Sequence, residues 1–274
     1  MESLRDKAKL FREQHASGVL VLPNAWDAGS AVAIERAGAP AVATTSGGVS
    51  WALGRGDGQR LTREEMLTAV ERIAAAVAVP VSADVEGGYG PEPAAVAETV
   101  SGVVAAGAVG VNLEDSRAGT LSLFTRSEQA ERLRAARTAA DSAELPDLWV
   151  NARTDVYLFG IGDPGGRQAE VIARAREYAA AGADSIFVPG LVDVTVLAEL
   201  AKASPIPVSA MAGPGAPPIA DLAAAGVRRV SVGTSIAQAA YSLAHHAAAE
   251  VLNQGTYGEV SGALDFGSVN GWFG

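Results

Sequence analysis

The sequence predicts an α/β fold, a closed (β/α)₈ barrel of the TIM type built as a single domain over 1–274, and three observations predict it. Short β-branched runs alternate with longer Ala-rich stretches along the whole chain, the pattern of a parallel sheet covered on its faces by helices. One junction recurs at Gly38, Gly107, Gly182 and Gly226, where an Ala-rich stretch stops at glycine and a strand follows. Glycine takes the left-handed conformation that ends a helix. No Pro/Gly/Ser-rich linker divides the 274 residues, and about 250 residues is the usual size of such a barrel.

Eight strands are expected, near 19–22, 41–45, 79–84, 109–114, 148–153, 185–189, 206–211 and 229–233, each followed by a helix-like segment. The first such segment runs from about Asp27 to Ala37. Strands three and seven are entered through Pro80 and Pro207, which a strand tolerates at its first residue. Thr62 with Glu65 forms a capping box and opens a helix. The rival architecture is an open doubly wound sheet, but its Gly-x-Gly-x-x-Gly fingerprint is absent after the first strand, where Pro23-Asn24-Ala25-Trp26-Asp27 stands. The last long segment, Ser235 to Leu252, reads as a helix followed by a polar, Gly-rich tail to Gly274. Its periodicity alone allows it to be the eighth barrel helix, packed on its own chain.

Composition removes several function classes. Hydrophobic residues make up 49% and charged residues 19%, enough to bury a large core. A formal charge of −10 argues against a nucleic-acid groove, which needs clustered Lys and Arg. No stretch approaches the roughly 18 apolar residues of a membrane span, and the start Met1-Glu2-Ser3-Leu4-Arg5-Asp6-Lys7 lacks a leader's apolar core. A cytoplasmic location is the expectation. With no Cys there is no thiol nucleophile and no thiolate-held zinc. Lys occurs only at 7, 9 and 202, and His only at 15, 245 and 246, so neither a Schiff base nor a Ser-His-Asp triad has an obvious supplier.

What remains is carboxylate, hydroxyl, Arg and backbone, and it clusters at strand ends: Asp84-Val85-Glu86, Asn112-Leu113-Glu114-Asp115 and Asn151-Ala152-Arg153-Thr154-Asp155. In a parallel barrel these ends share one mouth, where active sites lie. A strand's period of two is expected to point Asp84 and Glu86 to one side, and close like charges repel unless a cation lies between them. The alternative is that these acids cap the helices that follow. Oxygen donors favour Mg²⁺ or Mn²⁺, with Asp84, Glu86 and Glu114 as the candidate ligands, directly or through water. Arg153 is the candidate grip for a substrate carboxylate. Ser46, Gly47 and Gly48 would offer backbone amides, or else form a simple turn. Asp57, in a Gly-rich loop over 51–60, would reach the metal's water shell, or else act as a turn former. The loop over 115–124 is a candidate lid. Gly213-Pro214-Gly215 and Gly233-Thr234-Ser235 occupy the usual phosphate position of such barrels, but no cation accompanies them.

Six segments together, Asn24-Ala25-Trp26-Asp27, Thr45-Ser46-Gly47-Gly48, Asp84 to Gly90, Asn112 to Asp115, Asn151 to Asp155 and Met211 to Gly215, resemble the isocitrate lyase/phosphoenolpyruvate mutase superfamily in order through nearly the whole chain. The resemblance implies a modified (β/α)₈ barrel that needs Mg²⁺ and makes or breaks C–C or P–C bonds of 2-oxo and 2-hydroxy acids through pyruvate-like enolates. It assigns Asp84 to the metal and Asp57, Glu86 and Glu114 to its ligands or water shell. Ser46, Gly47, Gly48 and Arg153 go to a small anionic carboxylate substrate. It also implies a homo-oligomer, a tetramer or dimer, in which a C-terminal helix over 235–274 packs on a neighbouring subunit.

The departures from the superfamily pattern select among reactions. The lyases' Lys-x-Cys-Gly-His loop is replaced by Ser116-Arg117-Ala118-Gly119-Thr120, and the Lys and Asn of phosphonopyruvate mutases and hydrolases are absent between Asp115 and Phe124. Asn112 stands where lyases have His, Ser209 where many members have Asn, and Glu86 where a second Asp is commoner; Asn112 and Ser209 are therefore taken as substrate-side positions. Decarboxylation of an oxaloacetate-like acid fits this set best. Phosphonopyruvate mutase or hydrolase activity, and a catalytically silent metal- and carboxylate-binding barrel, are the alternatives. Tyr89, Tyr157, Ser116 and Thr120 are the candidate proton donors.

Overall fold

The computed structural model describes residues 3–16 and 18–274; Met1 and Glu2, part of the expected non-apolar start, lie outside the described residues. The first helix, α1 (Leu4–Ala16), precedes β1 (Leu20–Leu22) and β2 (Asn24–Ala25), which are two pieces of one chain direction separated by Pro23. Then follow α2 (Ala28–Arg36), β3 (Val42–Thr44), α3 (Ser46–Ala52), α4 (Arg63–Ala76), β4 (Val81–Asp84), α5 (Pro93–Ala105), β5 (Gly110–Glu114) and α6 (Arg126–Ser142). The second half continues with β6 (Trp149–Arg153), α7 (Arg167–Ala180), β7 (Ser185–Phe187), α8 (Val194–Ala203), β8 (Val208–Met211), α9 (Ile219–Ala224), β9 (Val227–Ser231), α10 (Ser235–Gln254) and α11 (Phe266–Asn270).

All strand pairs are parallel, in the order β1-β9-β8-β7-β6-β5-β4-β3-β2. Because β1 pairs with β9 and β2 with β3, the break at Pro23 lies within a ring of eight staves. Asn24 fastens this seam: its amide donates to the Thr44 carbonyl at 2.9 Å and its carbonyl accepts from Val232 N at 2.9 Å. The expected barrel is observed, with the last strand placed two residues earlier than the expected 229–233.

The helix stops behave as glycine chemistry requires, with φ of 96°, 88°, 97° and 90° at Gly38, Gly107, Gly182 and Gly226. Thr62 caps α4 through the expected box with Glu65, and Asp27 caps α2 through Ser30. Strand residues alternate in the usual way. Val81, Ala83, Val111, Leu113, Val150, Ala152, Ile186, Val208, Ala210 and Val230 are buried in one apolar cluster with the surrounding helices. The opposite phase faces the barrel axis, and Ser82, Asn112, Asn151, Ser185, Ser209 and Arg229 make it polar over much of its wall, where such interiors are usually filled by Val, Ile and Leu. Trp149 Nε1 donates to Ser185 Oγ at 2.8 Å, Ser185 and Ser209 donate to Asn151 Oδ1 at 2.6 and 3.1 Å, and Asn151 Nδ2 donates to Asn112 Oδ1. At the bottom, α1 packs across β6 and β9 and stacks His15 on Trp149 with ring centroids 3.8 Å apart.

The C-terminal segment departs from an ordinary barrel helix. Of α10 only Ala237 is buried. Tyr241 rests near Trp26 and Trp51, but Leu243, Val251 and Leu252 are 49%, 45% and 83% exposed. Packing of the whole helix on its own chain, allowed by its periodicity, is therefore not what the structure shows. No helix among the described residues is long and apolar enough to cross a membrane.

Candidate active site

The mouth is assembled from the C-terminal ends of β3, β4, β5 and β6. Asp84 ends β4. Its backbone amide donates to Thr44 Oγ1 at 2.8 Å, and its carboxylate accepts from the Ser46 amide at 3.1 Å. Ser46, Gly47 and Gly48 are the first turn of α3, not an irregular turn, and the first amides of a helix have no partner within it. The missing Cβ atoms matter here for packing. A Cβ on Gly47 would lie 2.9 Å from Thr234 and 3.1 Å from Asp57, and one on Gly48 would lie 2.8 Å from both Thr45 and Trp26. Asp57 therefore sits against the first turn of α3, while its other oxygen accepts from the Gly58 amide at 2.9 Å, so it is both turn former and member of the acidic set.

The route by which Glu86 joins Asp84 differs from the sequence expectation. The strand ends at Asp84, and Glu86 has φ of 48° in the left-handed region; no strand period aligns the two. Glu86 is placed by contacts from elsewhere. Its carboxylate accepts from the Gln59 amide at 2.6 Å and from Tyr89 Oη at 3.1 Å, and its carbonyl accepts from Glu114 N at 2.9 Å. Gln59 and Tyr89 are also left-handed, with φ of 53° and 59°. Three non-glycine residues held in this region at one site are backbone strain of the kind found where geometry is fixed for function. Arg132 clamps the turn from behind, donating to the carbonyls of Gly90 and Pro91 at 2.8 and 2.6 Å and to that of Gly87.

Glu114 and Arg153 end neighbouring strands in register and pair at 2.9 Å. Asp155, fully buried, takes Arg153 Nε and Nη2 at 2.7 and 3.1 Å and also accepts from Ser116 Oγ. Three of the five guanidinium donors are thus engaged, leaving one each on Nη1 and Nη2. Asp115 lies beneath, fully buried, taking Arg174 Nη1 at 2.8 Å and Tyr178 Oη at 2.9 Å. The loop over 115–124 is a short hairpin, closed by Arg117 N to Ser122 O at 2.9 Å and Phe124 N to Asp115 O at 2.8 Å. A cleft of about 610 Å³ opens beside it, lined by Gln59, Tyr89, Ser116, Arg117 and Phe124 among others.

Burial, and then the Asp84 charge, push the Glu86 carboxyl up to about 7, with Asp57 adding to the rise. Glu114 is pulled both ways. Burial raises it, Arg153 lowers it, and Asp155, Asp84 and Glu86 raise it again, so that it reaches about 8. The Arg153 cation is held firmly by Glu114 and Asp155 despite its burial. A carboxyl whose pKa is raised in the folded state stabilises the fold below its unfolded value near 4.5 and loses that contribution as pH rises through the folded value. The metal-free protein is accordingly expected to lose stability between about pH 5 and about pH 8. Added Mg²⁺ should raise the thermal midpoint more at about pH 8.5 than at about pH 6. Differential scanning fluorimetry at the two pH values checks this, and a Mg²⁺ effect independent of pH would contradict it.

The structure therefore brings together Asp57, Asp84, Glu86, Glu114, Arg153 and the first turn of α3. Asn112 and Ser209 lie deeper, committed to Asn151 in the interior network. Among the described residues no three His, Asp or Glu groups are gathered closely enough to hold an ion directly. The donor set nevertheless suits a hard cation that keeps most of its water, since the neighbouring carboxylate charges help to raise Glu86 and Glu114 and an intervening dication would relieve them. Of the candidate proton donors, Tyr89 touches Glu86 and Ser116 touches Asp155. Thr120 is bonded only within its loop, to Arg117 O and Ser122, and Tyr157 is raised by burial with Arg167 and Asp193 as its charged neighbours, not the acids of the mouth. Sequence reasoning missed Asp155 as the partner of Arg153, the left-handed Gln59, and the buried Arg229; the first was visible as the end of Asn151 to Asp155, the other two left no signal.

Comparison with known proteins places these residues in context. The family described as phosphoenolpyruvate phosphomutase matches residues 11–252. An uncharacterized protein of Mycobacterium tuberculosis is 40% identical over 246 residues, 88% of each chain. The 2-methylisocitrate lyase of Escherichia coli K12 is 30% identical over 217 residues, 76% of this chain and 70% of that one. The crystal structure of a phosphonopyruvate hydrolase complexed with oxalate and Mg²⁺ is similar with a TM-score of 0.83 and 26% identity, covering 97% of this chain and 95% of that one.

Proposed function

The chain belongs to the phosphoenolpyruvate phosphomutase family, within the isocitrate lyase/phosphoenolpyruvate mutase superfamily, and from that premise we propose that it is a Mg²⁺-dependent lyase for a small 2-oxo or 2-hydroxy carboxylic acid. The reaction the residues fit best is decarboxylation of an oxaloacetate-type diacid to pyruvate. The observation that carries the reading is the meeting of Asp57, Asp84, Glu86 and Glu114 with Arg153 and the α3 amides at one barrel mouth. A phosphonopyruvate hydrolase of the same fold holds oxalate and Mg²⁺, the ligand classes this donor set would take.

In this reading Asp84 would hold the metal ion, and Asp57, Glu86 and Glu114 would hold it through its water. When bound, the ion would supply Lewis acidity for the substrate's 2-oxo group. The two remaining Arg153 donors orient the substrate carboxylate, their fork fixed in direction by Asp155. The Gly47 and Gly48 amides add donors at the end of a helix whose dipole favours an anion. Tyr89 keeps its proton through burial and the adjacent carboxylates and lines the cleft; as the proposed donor it would pass that proton to the enolate carbon and regain one from the Glu86 carboxyl to which its Oη is hydrogen-bonded. The hairpin over 115–124 lines one side of the cleft, and its closure over a bound substrate would limit water access.

Pyruvate release from a panel of 2-oxo and 2-hydroxy diacids, with and without Mg²⁺, tests the reading. Metal-dependent pyruvate formation from at least one diacid, above the non-enzymatic rate, is expected. Binding of oxalate with no turnover across the panel would instead favour a silent carboxylate-binding barrel. One observation speaks for that alternative: Ser116, the reaction-loop hydroxyl nearest the site, is committed to Asp155.

The exposed apolar residues Leu243, Val251, Leu252, Tyr257, Leu264 and Phe266 fit a homo-oligomer in which the C-terminal segment packs on a neighbouring copy. Light scattering is expected to give a mass of two or four chains. A mass of one chain would remove the assembly proposal and leave the chemistry untouched.

A further inference from the structure

Inside the barrel, on β9, lies a cation that the charged strand ends do not explain. Arg229 is 2% exposed and stands in register with Ser209 of β8, so it points to the axis. Its Nη2 reaches across the barrel to Ser82 Oγ on β4 at 3.3 Å, while Nη1 is buried without a hydrogen-bond partner. Among the described residues no carboxylate lies within ion-pair distance of it. The space is kept open by Gly110, where a Cβ would meet Phe11 at 2.9 Å and Ser82 Oγ at 3.1 Å.

The position of this cation has electrostatic consequences on two sides. Ser82 and Asp84 lie two residues apart on one strand and on the same face, so Asp84 is roughly 7 Å further toward the mouth. Burial lowers the Arg229 guanidinium to about 10, and the Asp84 carboxylate is close enough to favour its charge in part. On the opposite side burial, and then the Arg229 charge, disfavour protonation of His15, whose Nε2 is likewise buried without a partner. A buried cation with a vacant donor is costly, and an apolar side chain of similar volume would ordinarily serve the fold as well or better. Such an outlier points to a role in the site above it.

We propose that Arg229 is a positioning residue that acts by charge: a fixed cation beneath the mouth, it weakens the hold of the acidic cluster on a bare dication and strengthens its hold on the carboxylate dianion that binds with that ion. The inference rests on the proposed dication-and-carboxylate reading of the mouth. The physical basis is simple. A unit charge in a site of low effective dielectric acts on a dication and on a dianion with opposite sign and comparable size.

The opposite signs supply the test, because a merely structural role would weaken both ligands together. Mn²⁺ affinity, and oxalate affinity at saturating Mn²⁺, are measured by calorimetry at about pH 8.5 in the full-length protein and in Arg229→Met and Arg229→Lys, with thermal midpoints recorded for each. Arg229→Met is expected to bind Mn²⁺ on the order of tenfold more tightly and oxalate on the order of tenfold more weakly, at an undiminished thermal midpoint. Arg229→Lys, which keeps the charge, should stay near the wild-type values for both. Parallel weakening of both ligands, no change in either, or failure of Lys to restore them overturns the inference. A wild-type protein that binds neither ion overturns the reading of the mouth together with it, whereas wild-type binding with an indifferent Met variant overturns this inference alone.

Discussion

Asp84→Ala is expected to abolish measurable Mg²⁺ or Mn²⁺ binding and to lower kcat/KM by about 10³-fold or more, about 4 kcal/mol of transition-state stabilisation. Asp84 is positioned by Thr44 through its own amide and by the Ser46 amide at its side chain. The same substitution should not unfold the protein. It removes a like charge that raises Glu86 and Glu114, so the thermal midpoint of the metal-free form at about pH 8 should be unchanged or higher. Loss of metal binding without loss of fold is the combined signature, read by calorimetry and circular dichroism. Unaltered metal affinity in Asp84→Ala would contradict the assignment.

Arg153→Met is expected to act on stability as strongly as on chemistry. It leaves Asp155, fully buried, and Glu114, 13% exposed at its side chain, without their cation. Breaking a buried pair from one side typically costs about 3–5 kcal/mol, which in a chain of this size lowers the thermal midpoint by roughly 10 °C. The pH dependence follows from the sign of the change. Unpaired buried carboxylates take up protons more readily, so the deficit relative to wild type should shrink from about pH 8 to about pH 5.5. Oxalate binding should be lost even at saturating metal, because the two remaining donors disappear with the side chain. Thermal melts at the two pH values and calorimetry of oxalate check both parts. A variant as stable as wild type at about pH 8 would show that Arg153 is not the keystone of these strand ends.

What was legible in the sequence, and what was not, divides by the range of the forces involved. The four glycine stops were readable because the left-handed conformation is a local demand that glycine meets on its own. The barrel was readable because parallel strands covered on their outer faces repeat one pattern. Asp84, Glu114 and Arg153 were readable as strand ends. Glu86 is singled out by a strand period that fails in three dimensions, since its backbone is left-handed and its carboxylate is held by the Gln59 amide from a loop 27 residues away in sequence. Ser46-Gly47-Gly48 has poor helix propensity, yet packing against Trp26 and Thr234 makes it the first turn of α3. Arg229 opens the expected strand 229–233, but nothing local reveals that its side chain turns into the barrel while that of Arg228 turns out. The early start of β9 belongs to the same blind spot, since two adjacent arginines are not an expected strand opening.

The central claim is that oxygen ligands at the strand ends hold one dication on which a small carboxylate is seated. A crystal structure of the protein with Mg²⁺ and oxalate tests it most directly. The account predicts one octahedral ion with an Asp84 oxygen about 2.0–2.1 Å away, water between it and Asp57, Glu86 and Glu114, and oxalate touching the ion, Arg153 and the first turn of α3. Oxalate bound elsewhere, or an ion seated away from Asp84, would contradict it.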